Sequence, residues 1–183
     1  LYLGRLFYFK ACDAKKNNHN LESIKSILKK TILYLPQHSD AYNDLAIVYC
    51  ELGKKEKAIW SFELSIHFNP MNLNALNNLG IFLRKFGFVK EAISCYETIY
   101  KLDPTCINSL SVIAALYGSV GHIDESFQYF QRYLEANPRA PDVLNNLGVL
   151  FRDCGNFVMA KNCFLAAIEA DKYNIMAFQN LLY

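Results

Sequence analysis

Residues 69–104 read NPMNLNALNNLGIFLRKFGFVKEAISCYETIYKLDP. The stretch opens on Asn69-Pro70 and closes on Asp103-Pro104, so a polar residue followed by proline recurs after 34 residues. Inside it, Leu76, Leu79, Gly80 and Leu83 recur at helical spacing and describe one apolar stripe. Gly87 then interrupts, and a glycine there can take the left-handed backbone that ends a helix after its last turn. A second stripe runs through Ala92 and Tyr96. The proline stops it, because proline cannot donate the next backbone hydrogen bond. The stretch therefore predicts two consecutive amphipathic helices within one 34-residue unit.

The same unit extends in both directions. Pro36 and Pro138 continue the 34-residue step, and the next step lands on Asp171-Lys172, where the phase survives without the proline. Counted from 31 residues before each proline, position 8 is small in Ala46, Gly80, Ala114 and Gly148. Position 11 is bulky in Tyr49, Leu83, Tyr117 and Phe151, and glycine returns in phase at Gly53, Gly87, Gly121 and Gly155. Position 20 holds Ala58, Ala92, Ser126 and Ala160, and position 24 holds Phe62, Tyr96, Phe130 and Phe164. Small residues opposite large ones let two helices pack closely, and units of this length bury their apolar faces by stacking on their neighbours.

The pattern resembles the tetratricopeptide repeat, which implies an all-α fold: a right-handed solenoid of antiparallel helix pairs. Residues 39–72, 73–106, 107–140 and 141–174 form good repeats. Residues 1–38 form a degenerate N-terminal one, with Lys15 and His19 where an aromatic and a glycine are expected, and residues 175–183 begin a further helix. The chain lacks an initiator Met and stops in an apolar run, so it is expected to be a fragment of a longer protein.

In this family the first helix of each pair lines the concave face, which leaves positions 2, 5, 6, 9, 12 and 13 open to a partner. Asn78, Asn146 and Asn180 share position 6, and Asn43, Asn77 and Asn145 share position 5. Asparagine is a mediocre helix former, so a repeated pair in mid-helix calls for another reason. Its amide carries donors and an acceptor that match a peptide group edge to edge. Neighbouring helices pack about 8–10 Å apart, roughly three extended residues at about 3.3 Å each. These six asparagines are therefore the candidate binding residues for an extended polypeptide. Asp44 and Val112 interrupt the position-6 series.

Other chemistries find little footing. Lys and Arg number 19 against 17 Asp and Glu, a net charge of +2, which gives no basic footprint for nucleic acid or for a membrane surface. No run approaches the roughly 18 apolar residues of a membrane helix. The six cysteines form no C-x-x-C pair and have no histidines at ligand spacing, so no metal site is expected and reduced thiols are. The four histidines fall at unrelated repeat positions, there is no glycine-rich phosphate loop, and Asp124-Glu125 sit where a second helix begins. No catalytic residue is assigned, and no cofactor is expected for this chain. Asn-x-Ser/Thr acceptors are absent, which fits a cytosolic or nuclear protein. The convex face offers a surface on which two chains could pair.

The run Asp142 to Asn156 further resembles the last repeats of SPINDLY, a branch of the O-linked N-acetylglucosamine transferase family. Phe178 to Tyr183 is similar to the segment where that family passes into its transferase domain. The resemblance implies a nucleocytoplasmic parent that transfers fucose or N-acetylglucosamine from a nucleotide sugar to Ser or Thr hydroxyls. It implies a substrate-gathering role for the repeats, with Asn78, Asn146 and Asn180 holding the substrate backbone. A non-enzymatic scaffold or adaptor is the alternative expectation.

Overall fold

The computed structural model describes residues 1–17 and 20–182 and contains eleven α-helices among them, with no strand. They are α1 (Tyr2–Lys16), α2 (Leu21–Tyr34), α3 (Ser39–Glu51), α4 (Lys55–Phe68), α5 (Leu73–Lys85), α6 (Val89–Leu102), α7 (Asn108–Ser119), α8 (Ile123–Ala136), α9 (Pro141–Asp153), α10 (Phe157–Ala170) and α11 (Ile175–Leu182). The chain divides into two compact units, residues 1–95 and 96–183, with the boundary inside α6. His19 and Tyr183, which carry part of the sequence reading of the first repeat and of the last helix, lie outside the described residues.

Each helix has local causes that recur in phase. Gly53, Gly87, Gly121 and Gly155 all have positive φ, between 70° and 81°. After each of them the chain returns a backbone bond to the last turn, as when Phe88 N–H donates to the Leu83 carbonyl at 3.0 Å. The second helix then starts 16 residues after the unit begins, at Lys55, Val89, Ile123 and Phe157. It ends at an extended residue: Asn69 and Asp171 have φ of −142° and −140°. Asp171 has no proline after it, yet its Oδ1 accepts from Tyr173 N–H at 2.9 Å, as Asn69 does from Met71 and Asp103 from Thr105. The side-chain turn keeps the chain in phase where the proline is missing.

Within a hairpin the small and large positions meet. Ala58, Ser126 and Ala160 are 0–3% exposed, and Phe62, Phe130 and Phe164 are 1–2% exposed. Buried Ser126 satisfies its hydroxyl by donating to the Ala114 carbonyl at 2.7 Å, which ties α8 to α7. In unit 2, Leu110, Phe130, Tyr133, Val143, Leu147 and Leu150 form one cluster shared by successive hairpins. In unit 1 the first hairpin is helical and packed on Ala11, Ala14, Ile24 and Leu28, all buried, although it lacks the small-to-aromatic pattern of the others.

Candidate functional site

The asparagines at positions 5 and 6 have different environments. Asn43 on α3 is 8% exposed, and its Oδ1 accepts a hydrogen bond from Asn78 Nδ2 on α5 at 3.0 Å. In unit 2, Asn145 on α9 is 6% exposed, and its Oδ1 accepts from Asn180 Nδ2 on α11 at 2.9 Å. Both pairs are 35 residues apart, so position 5 of one repeat holds position 6 of the next. Asn43 and Asn145, expected to meet a ligand, are buried, and each accepts an N–H of the next repeat's asparagine. Asn77 is exposed, and the residue 35 positions on is Val112, which has no amide to offer. Asn146 is exposed as well. Its counterpart 35 residues earlier is Ser111, whose hydroxyl is turned back onto the Asn108 carbonyl.

The position-6 asparagines each stand on the wall of a cleft. In unit 1, Asn78 joins Ile47, Cys50, Ile81 and Lys85 around a cleft of about 230 Å³ backed by Phe62. In unit 2, Asn146 joins Ala115, Gly118, Val149 and Asp153 around one of about 290 Å³ backed by Phe130. Asn180 joins Arg152, Phe157 and Lys161 around one of about 420 Å³ backed by Phe164. Each cleft also takes the first residue of a second helix: Lys55, Ile123 or Phe157. Sequence reasoning missed these last residues because it assigned ligand contact to first helices alone. The signal was present in the constant starting point of the second helix.

Two family models, both described as tetratricopeptide repeat, match residues 27–59 and 141–174. The solved structure of YrrB, described as a TPR protein with an unusual peptide-binding site, is 20% identical and superposes with a TM-score of 0.81 over 97% of this chain and 91% of YrrB. A tetratricopeptide repeat protein from Parabacteroides merdae is 18% identical, with a TM-score of 0.88 over 99% of this chain and 72% of its own. MamA from Desulfovibrio magneticus is 15% identical, with a TM-score of 0.81 over 94% and 97%. The chain has the tetratricopeptide-repeat fold. No curated protein matches it in sequence.

Within this tetratricopeptide frame, the break at Asp44 has its own partner. Asp44 is 7% exposed and pairs with Lys15 Nζ of α1 at 2.5 Å, and Lys15 is the residue that replaced the expected aromatic in the first repeat. Burial, with the charges of Asp44 and Asp40 nearby, pushes the Tyr8 phenol well above its ordinary value. Burial also pushes the Cys50 thiol up to about 11, and Glu51 adds to it. A thiol held in its neutral form is a poor nucleophile, so Cys50 serves its cleft as an apolar wall. Val112, the other departure from the series, is half-buried on α7.

Proposed function

We propose that the chain binds an extended stretch of another polypeptide, with the position-6 asparagines holding its backbone. The observation that carries this is the orienting bond that Asn78 donates to Asn43 and Asn180 to Asn145, with Asn180 Oδ1 also accepting from Arg152 at 3.2 Å. A buried amide fixes one N–H of its partner, so the remaining N–H and Oδ1 of Asn78 are presented at the cleft in one orientation. Fixing a side chain before the ligand arrives removes part of the ordering cost of binding. The apolar walls beside each asparagine then receive side chains of the polypeptide. YrrB, which has this fold, is described as having a peptide-binding site, and that supports a peptide as the ligand class.

A finer reading makes the captured polypeptide a substrate for Ser/Thr O-glycosylation by a SPINDLY-like transferase domain on the same parent, in the cytoplasm or nucleus. That reading rests on the sequence resemblance of residues 142–156 and 178–183. In this reading the parent, and not this chain, uses the nucleotide sugar.

A peptide array probed with the chain and with an Asn78→Ala/Asn146→Ala/Asn180→Ala variant tests the proposal. Broad binding to extended Ser/Thr-rich peptides, lost in a variant that keeps its helical circular dichroism, is the expected result. Binding of one defined motif, unchanged in the variant, would overturn the asparagine mechanism and leave a dedicated adaptor.

A further inference from the structure

The cleft at Asn78 differs from its counterpart at Asn146 in one respect that bears on what each accepts. Lys55 and Lys85 line the first. The residues at the same two repeat positions in the second are Ile123 and Asp153. One architecture thus carries two cations in unit 1 and an alkyl group with a carboxylate in unit 2. The net charge of the whole chain is only +2, so this is a local difference and not a bulk one.

The two ammonium groups are held near a common feature. Lys55 Nζ lies 3.9 Å from the centroid of the Phe86 ring, and Lys85 Nζ lies 5.9 Å from the same centroid. A cation over an aromatic face is attracted to the ring quadrupole, which gathers both charges at the Phe86 end of the cleft. Among the described residues, neither lysine forms an ion pair with a carboxylate. Glu51 lines the same cleft, so two positive groups face one negative group there. Ile47 and Ile81 line the same cleft as Asn78 and the lysines, and their alkyl surface suits an alkyl stem.

We propose that this cleft selects an acidic side chain, with the reach of glutamate, in the polypeptide whose backbone Asn78 holds. The inference rests on the polypeptide-binding reading above. The stem lies along the isoleucines and the carboxylate reaches the two ammonium groups. The Asn146 cleft has no cation in its lining, and its Asp153 is already paired with Arg152 at 3.4 Å, so it gives the same side chain no partner. The chain is then a reader of sequence at unit 1 as well as a holder of backbone.

Two labelled peptides of about ten residues, built from Ser and Ala with a single central Glu or Gln, test this with the whole chain. Both are amidated at the C-terminus, so only a side-chain carboxylate is offered, and either can slide until its one distinctive residue reaches the cleft. By fluorescence anisotropy at low salt, the Glu peptide is expected to bind roughly five- to tenfold tighter than the Gln peptide. The gap closes at high salt and in a Lys55→Gln/Lys85→Gln variant, whereas Asn78→Ala weakens both peptides alike. Equal binding of the two peptides, sensitive to Asn78→Ala, overturns the acidic specificity and leaves backbone capture standing. Binding of neither peptide overturns both.

Discussion

If Asn43 acts only by holding Asn78, the two residues must be energetically coupled, and the structure sets the size and the asymmetry of that coupling. The bond between them is 3.0 Å long, and a neutral side-chain hydrogen bond of that kind contributes a net of about 1 kcal/mol. The two truncations leave different orphans. Asn43→Ala strands an N–H on Asn78, which is only half-buried, so water can reach it and the loss stays near 1 kcal/mol. Asn78→Ala strands the Oδ1 of Asn43, a residue 8% exposed, and an unsatisfied acceptor at such a site costs about 1–3 kcal/mol. Both changes gain the same few tenths of a kcal/mol in helix propensity, so that contribution cancels in the comparison. Asn78→Ala should therefore be the more destabilising of the two. The double variant should recover about 1 kcal/mol relative to the sum, because once either partner is gone there is no bond left to lose. Urea denaturation followed by circular dichroism on the four proteins of the cycle measures this. Asn77→Ala, on the same helix but exposed, serves as a control expected to leave stability unchanged or slightly raised. A coupling below about 0.3 kcal/mol, the ordinary scatter of independent sites, would refute the idea that position 5 supports position 6.

Two further outcomes follow from packing and from burial. Gly148→Ala should destabilise unit 2 although alanine is the better helix former. A Cβ there would lie 2.5 Å from Cε1 of Phe164, a buried ring 2% exposed, so something must shift to admit it. Overpacking of about 1–3 kcal/mol outweighs a propensity gain of about 1 kcal/mol, so a raised urea midpoint would show that the ring yields. Stability should also fall in alkali. Burial pushes the Cys50 and Cys95 thiols up to about 11, and burial together with the Glu97 carboxylate pushes the Tyr129 phenol up to about 12. Their folded-state values exceed the unfolded ones, so the stabilisation is complete below about pH 9 and is lost as the pH climbs through 11. Urea midpoints at stepped pH, with Cys50→Ala/Cys95→Ala as a flatter comparison, check the sign. A wild-type midpoint unchanged across that window would contradict the burial of the thiols.

The helices were legible because each boundary is written locally. The turn glycines, the Asn/Asp-Pro steps and the alternation of Ala58 with Phe62 act within a few residues of where they stand. Even the lost proline at Lys172 was harmless, because Asp171 makes its turn with its own side chain. The site was less legible for a physical reason. Aligning repeats compares each position with its equivalent, whereas the Asn43–Asn78 and Asn145–Asn180 bonds join unlike positions of successive repeats, 35 residues apart. An alignment at 34 places both asparagines on one face and cannot say which of them is buried.

The same blindness made one feature look like two. Lys15 in place of an aromatic and Asp44 in place of an asparagine read in sequence as unrelated defects, one a decayed repeat and the other a broken ladder. In the structure they are the two ends of a single ion pair, with Asp44 buried. A buried carboxylate left without its cation is costly, so Asp44 depends on Lys15, whose own side chain is 35% exposed. The pair engages the position-6 group in a contact inside the protein. Under the proposed reading, recognition in unit 1 falls to Asn78 and the cleft residues beside it. Those residues carry the local positive charge on which the proposed acidic specificity depends.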